Sequence, residues 1–130
     1  MAKKRKIDVD WLKSKAEKIN DKDFEKVTEK ADDIKNKFEK EGPLNRFIED
    51  GKLLISIVKD YWSGKFKKIP WWAISAIVFA LLYVFNPLDL VPDFIPGFGF
   101  LDDASAIAAC LLLVEQQLKE YKIWKEKNSD

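Results

Sequence analysis

The chain has no histidine at all. That removes the commonest general base and the usual zinc constellations with it. It has one cysteine, Cys110, which excludes a disulfide framework and any cysteine-rich metal site. Cys110 sits in an apolar run and reads as a small buried or lipid-facing side chain. Strong net charge is also missing: the 130 residues sum to +1, which argues against a nucleic-acid binder driven by overall electrostatics. The start, Met1-Ala2-Lys3-Lys4-Arg5-Lys6, is basic but leads into no apolar h-region, so no signal peptide is expected. No internal repeat or low-complexity tract is visible.

The last absence is local. Residues 70–118 contain no Lys or Arg and five acids, Asp89, Asp93, Asp102, Asp103 and Glu115. Residues 1–69 hold 19 basic against 14 acidic side chains, and lysines return at 119, 122, 125 and 127. An apolar block flanked by lysines on both sides is the pattern of a membrane-inserted segment whose outer ends face the cytoplasm. Membrane localisation, with both termini on the cytoplasmic side, is the expectation that follows.

What is present is helical periodicity. Ile7, Trp11, Leu12, Ala16 and Ile19 suit a short amphipathic helix over 7–19. The cluster Asn20-Asp21-Lys22-Asp23 can break or re-cap it. Phe24, Val27, Ala31, Ile34 and Phe38 then form a narrow stripe at 3-4-3-4 spacing, which predicts one amphipathic helix over 23–41. That stripe suits a packing face, a membrane-surface face, or a seam for a second copy or a protein partner. Lysines mixed with acids on its polar side weaken the membrane-surface reading. Gly42-Pro43 ends this helix, and a third is expected over 44–62, stopped by Ser63-Gly64. The fold class is all-α: amphipathic N-terminal helices, then a hydrophobic helical hairpin joined by a Pro/Gly/Asp-rich turn. The expected organisation is a charged helical arm over 1–42 and a hairpin domain over 43–130.

Residues 70–85 carry no charge. As a helix they span roughly 24 Å, against about 30 Å for the hydrocarbon core of a bilayer. The segment is long for a soluble core helix and short for an upright transmembrane helix. Trp71 and Trp72 beside Lys65, Lys67 and Lys68 make an interfacial anchor, with indoles at headgroup level and ammonium groups in water. The second helix of the hairpin, from about Asp102, is rich in Ala104, Ser105, Ala106, Ala108 and Ala109, which permit close helix–helix approach.

The connector between these helices holds three of the five prolines and two of the five glycines. Prolines fix φ and restrict the residue before them. The turn therefore holds Asp89 and Asp93 in set positions relative to Asp102 and Asp103. No lysine or arginine lies nearer in sequence than Lys68 and Lys119. The carboxylates must then be solvated, protonated, bonded to backbone amides, or bound to a cation. Capping is the plain reading: Asp102 as N-cap, Asp103 in the first turn, Asp89 and Asp93 closing Asx-type turns. A calcium or magnesium site on these four aspartates is the functional alternative, although the spacing matches no EF-hand loop. A proton-carrying or ion-conducting role, or paired-carboxylate hydrolysis, has less to support it.

Tyr83, then Pro87-Leu88-Asp89-Leu90-Val91-Pro92-Asp93-Phe94-Ile95-Pro96, then Gly99-Phe100-Leu101-Asp102-Asp103 resemble the YkvA family, with Ser63-Gly64 and Ile69-Pro70 fitting the same pattern. The resemblance covers roughly residues 50–115. It implies a bacterial or archaeal membrane-associated helical protein and no established reaction, ligand or cofactor. The leading expectation is a non-enzymatic protein that contacts a lipid bilayer. A helical bundle whose first three helices bury the hairpin is the alternative. Burial of the apolar stretch by the first sixty residues, with Trp71 and Trp72 inside, would remove the lipid-facing reading.

Overall fold

The computed structural model describes residues 9–86 and 103–128, without the side chain of Trp11. All regular structure among the described residues is helical: α1 (Val9–Ala16), α2 (Asp21–Glu29), α3 (Ala31–Lys40), α4 (Gly42–Asn45), α5 (Ile48–Ser63), α6 (Trp71–Phe85), α7 (Asp103–Leu113) and α8 (Glu115–Asn128).

Local chemistry sets most of the boundaries. Asn20 caps α2 with a reciprocal box: its side chain accepts from the Lys22 and Asp23 amides at 3.0 and 3.4 Å, and Asp23 Oδ2 accepts from the Asn20 amide at 2.9 Å. Pro43 sits in the first turn of α4, where its missing N–H costs nothing. Gly64 ends α5 at φ +90°, a left-handed angle that a side chain would strain.

The helix expected over 23–41 is two helices. Lys30 leaves helical geometry at φ −101°, ψ 15°, and the chain bends there. The bend lays both halves of the stripe on α5 and α6. Phe24, Val27, Ala31, Ile34 and Phe38 are all buried within this chain. The helix expected over 44–62 is likewise broken, at Phe47, into α4 and α5. Phe38 lies so close on α5 that a Cβ at Gly51 would come within 2.8 Å of its ring. A side chain at 51 would displace a buried aromatic ring, so the spot suits glycine despite its poor helix propensity.

The centre of the fold is α6. It packs against α1, α2, α3, α5 and α7, and residues 73–84 are buried without interruption. A helix that is apolar all round must be covered on every side. Here the cover is protein, so the expectation of a lipid-inserted hairpin is corrected for this helix. At 15 residues α6 is about 22 Å long, and no helix among the described residues is long and apolar enough to cross a membrane. Against α7 the small residues do as expected: Ala106, Ala109 and Cys110 are fully buried, and Cys110 Sγ lies 4.0 Å from the Ala76 carbonyl oxygen. Burial pushes the Cys110 thiol up to about 12, so it is an inert packing group. The Ser75 hydroxyl is buried in α6 with no hydrogen-bond partner among the described residues.

Candidate functional site

Two clusters of side chains stand out, and both lie where α5 ends and α6 begins. In the first, the loop after Gly64 alternates its residues. Phe66 and Ile69 turn inward at 3% and 7% exposure, which leaves Lys65, Lys67 and Lys68 in solvent. Pro70 then caps α6, and its carbonyl accepts from the Ala73 and Ile74 amides. Trp71 and Trp72 therefore fall in the first turn, outside the buried run, at 48% and 46% exposure. Trp62, at the end of α5, is 38% exposed.

Two of these indoles, Trp62 and Trp71, are held from beneath by Phe24, which is fully buried. Its ring stacks on Trp62 at 5.4 Å and on Trp71 at 5.3 Å, and meets Tyr61 at 5.7 Å. Lys67 Nζ lies 4.5 Å over the Tyr61 ring. No acidic residue occurs between Asp60 and Asp89, so this stretch of the chain is cationic as well as aromatic. The structure leaves all five residues that the sequence marks as an anchor exposed, in the loop after Gly64 and the first turn of α6. It adds Trp62 and the Phe24 support, which sequence spacing alone does not connect.

The second cluster was not foreseen from the sequence. Tyr121 of α8 donates to Asp60 Oδ2 at 2.6 Å, and its hydroxyl oxygen lies 2.5 Å from Ser56 Oγ. With the tyrosine O–H directed at Asp60, Ser56 is the donor in the second bond. Lys125 Nζ donates to Ser56 Oγ at 2.9 Å, to Asp60 Oδ2 at 3.3 Å and to the Tyr121 hydroxyl at 3.3 Å. Phe66 packs on the rings of Tyr121 and Trp124 at 5.1 and 5.0 Å. The only hint in the sequence is a pair of i,i+4 polar couples, Ser56/Asp60 and Tyr121/Lys125, on separate helices.

This cluster fastens α8 to α5 rather than activating a nucleophile. Burial, then the hydrogen bond to Asp60, raises the Tyr121 pKa against the opposing pull of Ser56 and Lys125. Burial disfavours the Lys125 ammonium, but hydrogen bonds to Tyr121 and Asp60 outweigh it and the Lys125 pKa is raised. Tyrosine stays protonated and lysine stays charged, so neither is a base for Ser56, and the Asp60 carboxylate accepts from Tyr121 and Lys125 instead. A raised folded pKa means that stability from Tyr121 is fully present below its ordinary value of 10.0 and is lost as pH rises through the folded value. Thermal melts should therefore lose stability above about pH 10. In Tyr121→Phe that alkaline loss should be shallower, at a cost near neutral pH of about 1–2 kcal/mol. Identical alkaline profiles would show that the hydroxyl is not so held.

Asp89, Asp93 and Asp102 lie outside the described residues. Asp103 opens α7, in the first turn where its charge suits the helix dipole. Among the described residues no group of three or more potential ligands is placed to hold a metal ion.

The protein is thus a helical bundle built around one protein-covered apolar helix, with an aromatic and cationic patch at that helix's first turn. Residues 73–109, which run from α6 into α7, match the family described as protein of unknown function (DUF1232). The chain is also 30% identical over 69 residues to the "Uncharacterized membrane protein YkvA" of Bacillus subtilis (strain 168). That alignment covers 53% of this chain and 65% of the relative, a little under two thirds of its length. Over this span the chain is YkvA-like. No solved structure matches it.

Proposed function

We propose that this protein is a non-catalytic, membrane-associated helical bundle that docks on a bilayer surface through the patch around Trp62, Trp71 and Trp72. The observation that carries this reading is the set of three part-exposed indoles beside three exposed lysines at one end of the fold. Indoles favour the headgroup region, and lysines favour anionic lipid by about 1 kcal/mol each near the surface. The orientation follows from the same charges: the patch, and with it the termini, belongs on the anionic cytoplasmic leaflet. The relative's description as a membrane protein agrees with a bilayer partner. Docking of this kind leaves α6 inside the bundle and needs no spanning helix.

Flotation with vesicles of phosphatidylcholine and phosphatidylglycerol tests it. The intact chain should float with the vesicles, and its tryptophan emission should shift to the blue. The double variant Trp71→Ala/Trp72→Ala should bind at least about ten-fold more weakly, a loss of about 1.4 kcal/mol. Charge reversal of Lys65, Lys67 and Lys68 should abolish the preference for phosphatidylglycerol and remove most of the salt dependence. An intact chain that stays with the soluble fraction at all vesicle concentrations would end the proposal.

A further inference from the structure

At the other end of α5 lies an open groove of about 480 Å³ between the start of α5, the second half of α7 and the start of α8. Its size is that of a small-ligand site. The walls are Phe47, Ala108, Leu111, Leu112 and Leu118. Leu112 is 57% exposed and is the one apolar wall residue that stands out into solvent.

The rim is charged and ordered along α8. Asp50 and Glu115 stand in the first turns of α5 and α8. There the positive ends of two helix dipoles already compensate them. Lys119 and Lys122 come one and two turns further on, three residues apart on the same side of the helix. Neither has an ion-pair partner among the described residues. The groove therefore pairs an apolar wall, open to solvent mainly at Leu112, with two rim lysines that have no ion-pair partner among the described residues.

We infer that this groove binds a single-chain anionic amphiphile, with the alkyl chain along Leu111, Leu112 and Leu118 and the head group on Lys119 and Lys122. Lys119 and Lys122 set the direction, because they are the only cationic side chains among the residues that line the groove. The site is separate from the Trp62, Trp71 and Trp72 patch, so it does not depend on the docking proposed above.

Titration of the full chain with dodecyl phosphate, below its micelle-forming concentration, tests the inference by calorimetry and amide chemical shifts. One-to-one saturable binding is expected, with shifts at Ala108, Leu112, Leu118 and Lys119. Leu112→Glu alters only an exposed side chain, so the fold should persist, and binding should weaken at least about ten-fold. Lys119→Glu/Lys122→Glu should weaken dodecyl phosphate to a similar degree and leave monomeric dodecyl maltoside unaffected. Thermal melts of both variants should match the parent. The inference is overturned if binding does not saturate, if the shifts cluster at Trp62, Trp71 and Trp72 instead, or if the lysine variant binds dodecyl phosphate as well as the parent does.

Discussion

Removal of residues 1–41 should leave a chain that aggregates in buffer and recovers helical structure only in detergent. The truncation strips α1, α2 and α3 from α6, all of which pack on it. Leu12, Phe24, Val27, Ile34 and Phe38 leave the core with them, each at 1% exposure or less. At about 2 kcal/mol per large apolar side chain, their burial alone contributes on the order of 10 kcal/mol, comparable to the whole stability of a domain this size. The loss is compounded because one flank of residues 73–84 then meets water. Size-exclusion chromatography with and without dodecyl maltoside reads the result. A truncated chain that runs as a monomer in buffer and melts cooperatively would show that α6 draws its cover from elsewhere.

Phe24→Ala should lower stability by about 3–5 kcal/mol, the range for emptying a buried aromatic site. It should also weaken vesicle binding. Phe24 is completely buried and touches Trp62, Trp71 and Tyr61 at once. With the ring gone, the indoles lose the surface that holds them at the rim of the bundle. Their emission should move to the red and broaden. Phe24→Leu keeps most of the volume, so its cost should be about half as large. Denaturant melts followed by tryptophan fluorescence measure both effects together. A loss below about 1 kcal/mol for Phe24→Ala would mean that the site collapses freely and that the indoles are not positioned by it.

The same residues show what was readable in advance. Asn20, Pro43, Gly64 and Pro70 act through short-range backbone chemistry, and each marks a boundary close to where the sequence puts it. The bends at Lys30 and Phe47 carry no glycine or proline signal. At Lys30 the bend keeps both halves of one apolar stripe packed on α5 and α6. Residues 70–85 announce only that they need a non-aqueous cover. Periodicity cannot say whether lipid or protein supplies it, since an all-round apolar helix has no face to read. The outcome divides the expectation: the interior of α6 is covered by protein, while Trp71 and Trp72 at its mouth stay half exposed.

For the candidate site, the tryptophan and lysine cluster was readable because its parts adjoin in sequence. The Ser56, Asp60, Tyr121 and Lys125 cluster was not, because its hydrogen bonds join residues 61 to 69 positions apart. The proline-rich connector with Asp89, Asp93 and Asp102 falls outside the described residues. Its capping and cation-binding readings therefore rest on the sequence alone.

Native-state hydrogen exchange of the intact chain in detergent-free buffer bears most directly on how α6 is covered. If protein encloses it, the amides of residues 73–84 should be the slowest in the molecule, opening only with global unfolding. Exchange of those amides ahead of the amides in α5, or protection that emerges only after lipid or detergent is added, would contradict a self-covered helix and return α6 to the bilayer.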